Sequence, residues 1–144
     1  MPSATVHIRV AFVDVDSSMR IHFTAMFRYM EVAEHELMRS LGMPYATALK
    51  TYAFPRVHLE CDFHGAIRYD DEINVTTRIE RVGNSSWTVA FAAHPSGTLS
   101  PNATDTPVLA TGRMTIVAMD PATERATLLP EALRQALSGD AGKL

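Results

Sequence analysis

Over residues 23–41 the apolar side chains recur every three or four positions, at Phe23, Met26, Met30, Ala33, Leu37 and Leu41. That spacing places them on one face of a helix of about five turns at 3.6 residues per turn. Gly42 and Pro44 supply its stop. It is the longest and most apolar helical pattern in the chain. Ahead of it, residues 4–13 (ATVHIRVAFV) alternate β-branched and polar side chains before turning apolar, which predicts a strand. A short second helical piece is expected near residues 45–50. From there the period becomes two and stays two. In RVHLECDFHG, Val57, Leu59, Cys61 and Phe63 alternate with His58, Glu60, Asp62 and His64. In EINVTTRIERV, Ile73, Val75, Thr77 and Ile79 do the same, and SSWTVAFAAH and PVLATGRMTIVAM follow. Turn residues separate the runs: Tyr69-Asp70-Asp71, Gly83-Asn84, and a long polar loop over residues 94–107. PEALRQAL predicts a short closing helix, and the last six residues are expected to fray.

One greasy helix among five strand segments leaves few arrangements. The expected class is α+β, with one long central helix wrapped by a five-stranded antiparallel sheet. Residues 1–144 suit a single domain, with its core over about residues 4–137. Such a sheet has open edges and an unfilled face, so self-association is expected.

A net charge of -3 gives no general attraction for nucleic acid. The single cysteine, Cys61, excludes an intrachain disulfide and fits a reducing compartment. The start of the chain has no basic-then-apolar leader pattern, and no apolar run is long enough to span a bilayer. The expectation is a cytoplasmic protein with neither nucleic-acid nor membrane partners. Its six histidines lack a metal-ligand spacing, so no metal is expected. No glycine-rich phosphate loop, serine nucleophile elbow or CxxC motif is present.

The chemistry-bearing stretch is VDVDSSMRIHF, residues 13–23. It sets Asp14 and Asp16, two serines and His22 at the mouth of the long helix. One reading is structural: Asp and Ser ahead of a helix are capping residues. The other is a reaction site. Backbone N–H groups at a helix start are unpaired and can hold a developing oxyanion. A carboxylate just outside that end can attack a carbonyl or activate water. Further along, Glu34 falls close to the apolar stripe, where a carboxylate must be paired or functional.

The segment FVDVDSSMRIHFTAMFRYMEVAEHELMRSLGM resembles the hot-dog-fold acyl-CoA thioesterases of the 4-hydroxybenzoyl-CoA thioesterase class. Asp16 matches the second aspartate of that family's D-x-D motif, and His22 and Phe23 match its two aromatic or histidine positions. PRVHLECDFHGAIRYDDEINV is similar to the family's second strand and the turn into its third. The likeness covers roughly residues 6–117. Met19 stands where the family has glycine, and Met26 where it has an aromatic residue. The resemblance implies a hot-dog fold, a homodimer or dimer of dimers, and hydrolysis of an acyl-CoA thioester without a cofactor. It implies Asp16 as the catalytic carboxylate, the Phe23 N–H as the donor to the thioester carbonyl, and His22 in support. Met19, Met26 and Glu34 would then lie towards the substrate. Two alternatives stay open: a non-catalytic acyl-binding or scaffold hot-dog protein, and an acyl carrier protein thioesterase.

Overall fold

The computed structural model describes residues 1–97 and 107–139. Most of the polar loop expected over residues 94–107, and the expected fraying beyond Gly139, lie outside the described residues. The chain runs β1 (Ser3–Arg9), a 3₁₀ turn (Phe12–Asp14), α1 (Ala25–Ser40), β2 (Arg56–Phe63), β3 (Glu72–Val82), β4 (Ser86–Pro95) and β5 (Ala110–Val117). A two-residue ribbon, β6 (Met119–Asp120) with β7 (Arg125–Ala126), leads into α2 (Glu131–Ser138).

The stripe read from the sequence becomes the buried face of α1. Met26, Met30, Ala33 and Leu37 are all at most 1% exposed. Phe23 is not part of it. The helix begins at Ala25, and the Phe23 side chain is 65% exposed. At the other end Gly42 takes φ +74°, the left-handed conformation that turns the chain away after Leu41. The helical piece expected over residues 45–50 is a set of turns instead. The Ala48 N–H reaches the Pro44 carbonyl at 2.9 Å, a single helical bond. One such bond does not offset the cost of nucleation.

The five main strands form one antiparallel sheet in the order β1-β3-β4-β5-β2. Val6 pairs with Val75, Val75 with Ala93, and Val89 with Met114, which lines up the inward residues of adjacent strands. Ile73, Val75, Thr77 and Ile79 of β3 are buried, as the alternation required. The helix packs against β1 and β3. It reaches β5 at Gly112, where a Cβ would stand 3.0 Å from the Met30 methyl and 2.7 Å from the Glu60 carbonyl. Glycine is therefore what lets helix and strand approach there. α2 packs on β3 and buries Leu133, Ala136 and Leu137.

The β2 side of the sheet is different. Val57 is 60% exposed, Leu59 46% and Phe63 47%, and Cys61 is half-buried against the margin of the core. The alternation is present, but α1 lies mainly over β1 and β3, so none of the described residues of one chain covers this apolar row. β2 is also an edge strand, paired on one side only, with β5. No helix among the described residues is long and apolar enough to cross a membrane.

Candidate active site

The stretch between the 3₁₀ turn and α1 folds into a short hairpin. The His22 N–H donates to the Asp14 carbonyl at 2.8 Å, Val15 bridges Ile21, and the Asp16 N–H donates to the Arg20 carbonyl at 3.0 Å. A turn over Asp16 to Met19 closes it, with the Met19 N–H donating to the Asp16 carbonyl at 2.9 Å. The Asp16 carboxylate stabilises that turn from within. Its Oδ1 accepts the Ser18 N–H at 2.8 Å and the Ser18 hydroxyl at 2.6 Å. Asp16 and Ser18 therefore cap this turn, not the helix. Met19 sits at φ +61°. A non-glycine residue there costs roughly 1–2 kcal/mol, which the hairpin's ties to the next loop must hold. Those ties are the Ile21 N–H to the Ile67 carbonyl at 2.9 Å and the Tyr69 N–H to the Met19 carbonyl at 3.0 Å.

Asp16 is exposed, and its Oδ2 carries no hydrogen bond among the described residues. The Ser18 hydroxyl and then the Ser18 N–H hold its pKa below the ordinary carboxylate value, with smaller help from the charges of His22 and Arg20. Asp16 is thus ionised at neutral pH, with one oxygen anchored and one free.

The N-cap residue of α1, Thr24, makes no side-chain capping bond, and His22 engages Thr24 itself. His22 Nδ1 lies 2.7 Å from the Thr24 hydroxyl and accepts the Thr24 N–H at 3.3 Å, while the His22 carbonyl accepts the Ala25 N–H at 2.8 Å. With Nδ1 engaged by Thr24, the His22 Nε2 has no hydrogen-bond partner among the described residues. The Phe23 N–H, next to these satisfied groups, has no partner among the described residues. It therefore remains a donor at the positive end of α1. The Phe23 ring stacks on His22 with centroids 4.4 Å apart. Phe12, Val13, Met19 and Tyr69 are also exposed apolar residues of these turns, and Phe12 meets Tyr69 edge-on at 5.5 Å.

The two other carboxylates singled out by sequence are buried and paired. Asp14 is 6% exposed; its Oδ1 accepts a hydrogen bond from Arg28 and its Oδ2 one from the Tyr29 hydroxyl at 2.8 Å. Burial pushes its pKa up, but the bonds from Arg28 and Tyr29 and the Arg28 charge outweigh that and hold it low. Glu34, fully buried, accepts from Arg56 Nη2 at 2.7 Å on both oxygens and from the Tyr45 hydroxyl. The Arg56 guanidinium lies over the Tyr45 ring, 5.6 Å from its centroid.

Of the residues the resemblance assigns to a site, Asp16, Met19, His22 and Phe23 come together on the hairpin and helix start. Met26 and Glu34 do not join them. Met26 is 1% exposed and belongs to the core face of α1, and Glu34 is taken up by Arg56 and Tyr45. Sequence reasoning missed Arg28, Tyr29, Tyr45 and Arg56. Their partners lie 11 to 22 positions away, beyond any local spacing rule. The one available signal was negative: a carboxylate on an apolar stripe requires a cation somewhere.

Among solved structures, the fold is similar to that of a 1,4-dihydroxy-2-naphthoyl-CoA thioesterase from Synechocystis. The TM-score is 0.83 at 16% identity, with 94% of this chain and 96% of that one covered. It is also similar to a hypothetical protein from Staphylococcus aureus solved in complex with CoA, with TM-score 0.81, 12% identity, and 95% and 82% covered. At these identities the likeness establishes the shared hot-dog fold. In sequence, the chain is 29% identical over 85 residues to a protein of Aquifex aeolicus (strain VF5) provisionally named an esterase. That stretch is 58% of this chain and 66% of the relative, just under two thirds of its length. Residues 20–99, more than half of the sequence, match the thioesterase superfamily, beginning four residues after Asp16. The chain belongs to the thioesterase superfamily.

Proposed function

We propose that this protein hydrolyses an acyl-CoA thioester at the hairpin that leads into α1. The observation that carries the reading is the presence on one short segment of two groups without a partner among the described residues: the Oδ2 of an ionised Asp16 and the Phe23 N–H. The N–H donates to the thioester carbonyl oxygen and stabilises the negative charge that forms on it. Asp16 either takes a proton from the attacking water or attacks the carbonyl carbon itself, and both roles need the ionised form. Collapse of the tetrahedral species breaks the C–S bond and expels the CoA thiolate, which takes up the proton released by the water. Where Asp16 itself attacks, the acyl group is left on Asp16 as a mixed anhydride that water then cleaves, regenerating the carboxylate. The products are a carboxylic acid and CoA thiol. His22 is exposed, its Nε2 has no partner among the described residues, and in the tautomer that carries the proton there it can donate to the same oxygen or to the leaving sulfur. The apolar surface of Phe12, Val13, Met19, Phe23 and Tyr69 suits an acyl group beside the reacting carbon. Membership of the thioesterase superfamily supports the reaction type, and the CoA complex of the S. aureus neighbour supports the carrier. The test is thiol release from a panel of short, long and aromatic acyl-CoAs. Turnover of at least one class is expected, and turnover of none would reject the proposal.

The working unit is proposed to be at least a dimer that covers the β2 edge. An edge strand with an uncovered row of Val57, Leu59 and Phe63 is a surface that a second copy can both pair with and bury. Leu59→Asp places a charge in that row without touching the core of one chain. Light scattering at micromolar concentration is expected to give at least twice 15.9 kDa for the unaltered chain and a lighter particle for Leu59→Asp. A 15.9 kDa particle from the unaltered chain would refute this assembly.

A further inference from the structure

We infer that Asp14 is a positioning residue for the proposed hydrolysis, its buried carboxylate locking the Asp16 hairpin to the first turns of α1. The inference rests on the reading of Asp16 above. Asp14 is the point where three pieces meet. Its carbonyl accepts the N–H of His22, the residue before Phe23. Its own N–H donates to the Ala11 carbonyl at 3.0 Å, fixing the 3₁₀ turn that brings the chain in from β1. Its side chain reaches forward to Arg28 and Tyr29, both on α1. Asp16 follows Asp14 by two residues, and Phe23 follows His22 by one. The spacing between the free carboxylate oxygen and the free amide therefore runs through Asp14.

The anchor on the helix side is rigid. Tyr29 is 4% exposed and packed in the core, and its hydroxyl spends its one proton on Asp14. Arg28 closes the other oxygen from a more exposed position, its side chain being 60% accessible. The hairpin does not depend on this lock for its own shape. The Val15–Ile21 bridge, the Asp16–Arg20 bond and the ties to Ile67 and Tyr69 are backbone contacts that survive loss of the Asp14 side chain. What the lock adds is the placement of a formed hairpin against a formed helix. A displacement of about 1 Å between reacting groups can cost on the order of a hundredfold in rate.

The experiment compares Tyr29→Phe and Asp14→Asn with the unaltered chain, on whichever acyl-CoA of the panel is turned over best. Rates are taken per folded molecule, at a temperature where circular dichroism shows each variant fully folded. A role in positioning lowers kcat by about tenfold in each variant and leaves KM within about threefold, because the loss falls on the transition state. A merely structural role lowers the melting temperature and leaves kcat of the folded variant at the unaltered value, and that result would overturn the inference. Tyr29→Phe keeps its ring packing, so it decides the matter if Asp14→Asn does not fold. Asp16→Asn is run alongside. An unaltered rate there overturns the role of Asp16 itself, whereas a large loss there with full kcat in folded Tyr29→Phe overturns only the role of Asp14.

Discussion

Asp16→Asn is expected to lower kcat for thioester hydrolysis by about a hundredfold or more, the scale for removing a catalytic base or nucleophile. The reason to expect so clean a loss is the division of labour between the two carboxylate oxygens. Oδ1 accepts both Ser18 donors and holds the turn. An asparagine placed in the same rotamer offers a carbonyl oxygen to those donors, so the turn keeps its shape. What the amide lacks is the negative charge and the free oxygen at Oδ2. KM and the melting temperature are therefore expected to change little, the pattern of an interaction used mainly in the transition state. The pH dependence gives a second readout. Asp16 must be ionised to act, and Ser18 holds its pKa below the ordinary aspartate value of 3.8. Loss of kcat/KM on acidification is then expected only below that value, not in the range from 4 to 6 where an ordinary or raised carboxyl would titrate. Hydrolysis by Asp16→Asn at the unaltered rate would remove Asp16 from the mechanism.

How much of this was legible in the sequence follows from which interactions are local. The helix stripe, the period-two strands and the position of the D-x-D stretch ahead of the helix all depend on neighbours within a few residues and are found close to where the pattern put them, except that the first strand, expected over residues 4–13, ends at Arg9 and gives way to the 3₁₀ turn at Phe12–Asp14. The helix start was misjudged by two residues because Phe23 continues the stripe in spacing but turns outward to stack on His22. The contact of His22 with the N-cap residue Thr24 was not anticipated, since histidine is not a preferred residue at a helix start. The exposed β2 row also could not be read, because alternation states which face is apolar and not whether a helix will reach it. The ion pairs were hidden for the same reason. Glu34 announced a need for a partner, and only the fold could say that the partner starts β2, 22 positions on.

Arg56→Met is expected to lower stability by about 3–5 kcal/mol at neutral pH, the usual cost of leaving one member of a buried ion pair without its partner. Glu34 has no solvent to turn to, and Arg56 Nη2 supplies both of its 2.7 Å bonds. The Tyr45 hydroxyl remains and cannot balance a full charge alone. Glu34→Gln is expected to cost less, on the order of 1–3 kcal/mol. It removes the charge and keeps an oxygen for Tyr45, while Arg56 retains the Phe54 carbonyl at 2.6 Å and some solvent. Glu36→Gln serves as the control. Its ion pair with Arg39 is half-exposed on both sides, so an effect within about 0.5 kcal/mol is expected. Urea unfolding at one fixed protein concentration ranks the three, since any dimer makes stability concentration-dependent. The decisive comparison is a fourth chain in which Glu34→Leu, Arg56→Met and Tyr45→Phe are combined. If the network exists to hold the turns after α1 in register with β2, this chain recovers most of the stability lost in Arg56→Met, because an apolar cluster of similar volume carries no desolvation penalty. An Arg56→Met variant within about 1 kcal/mol of the unaltered chain at neutral pH would show that Glu34 is not the buried, charged anchor described here.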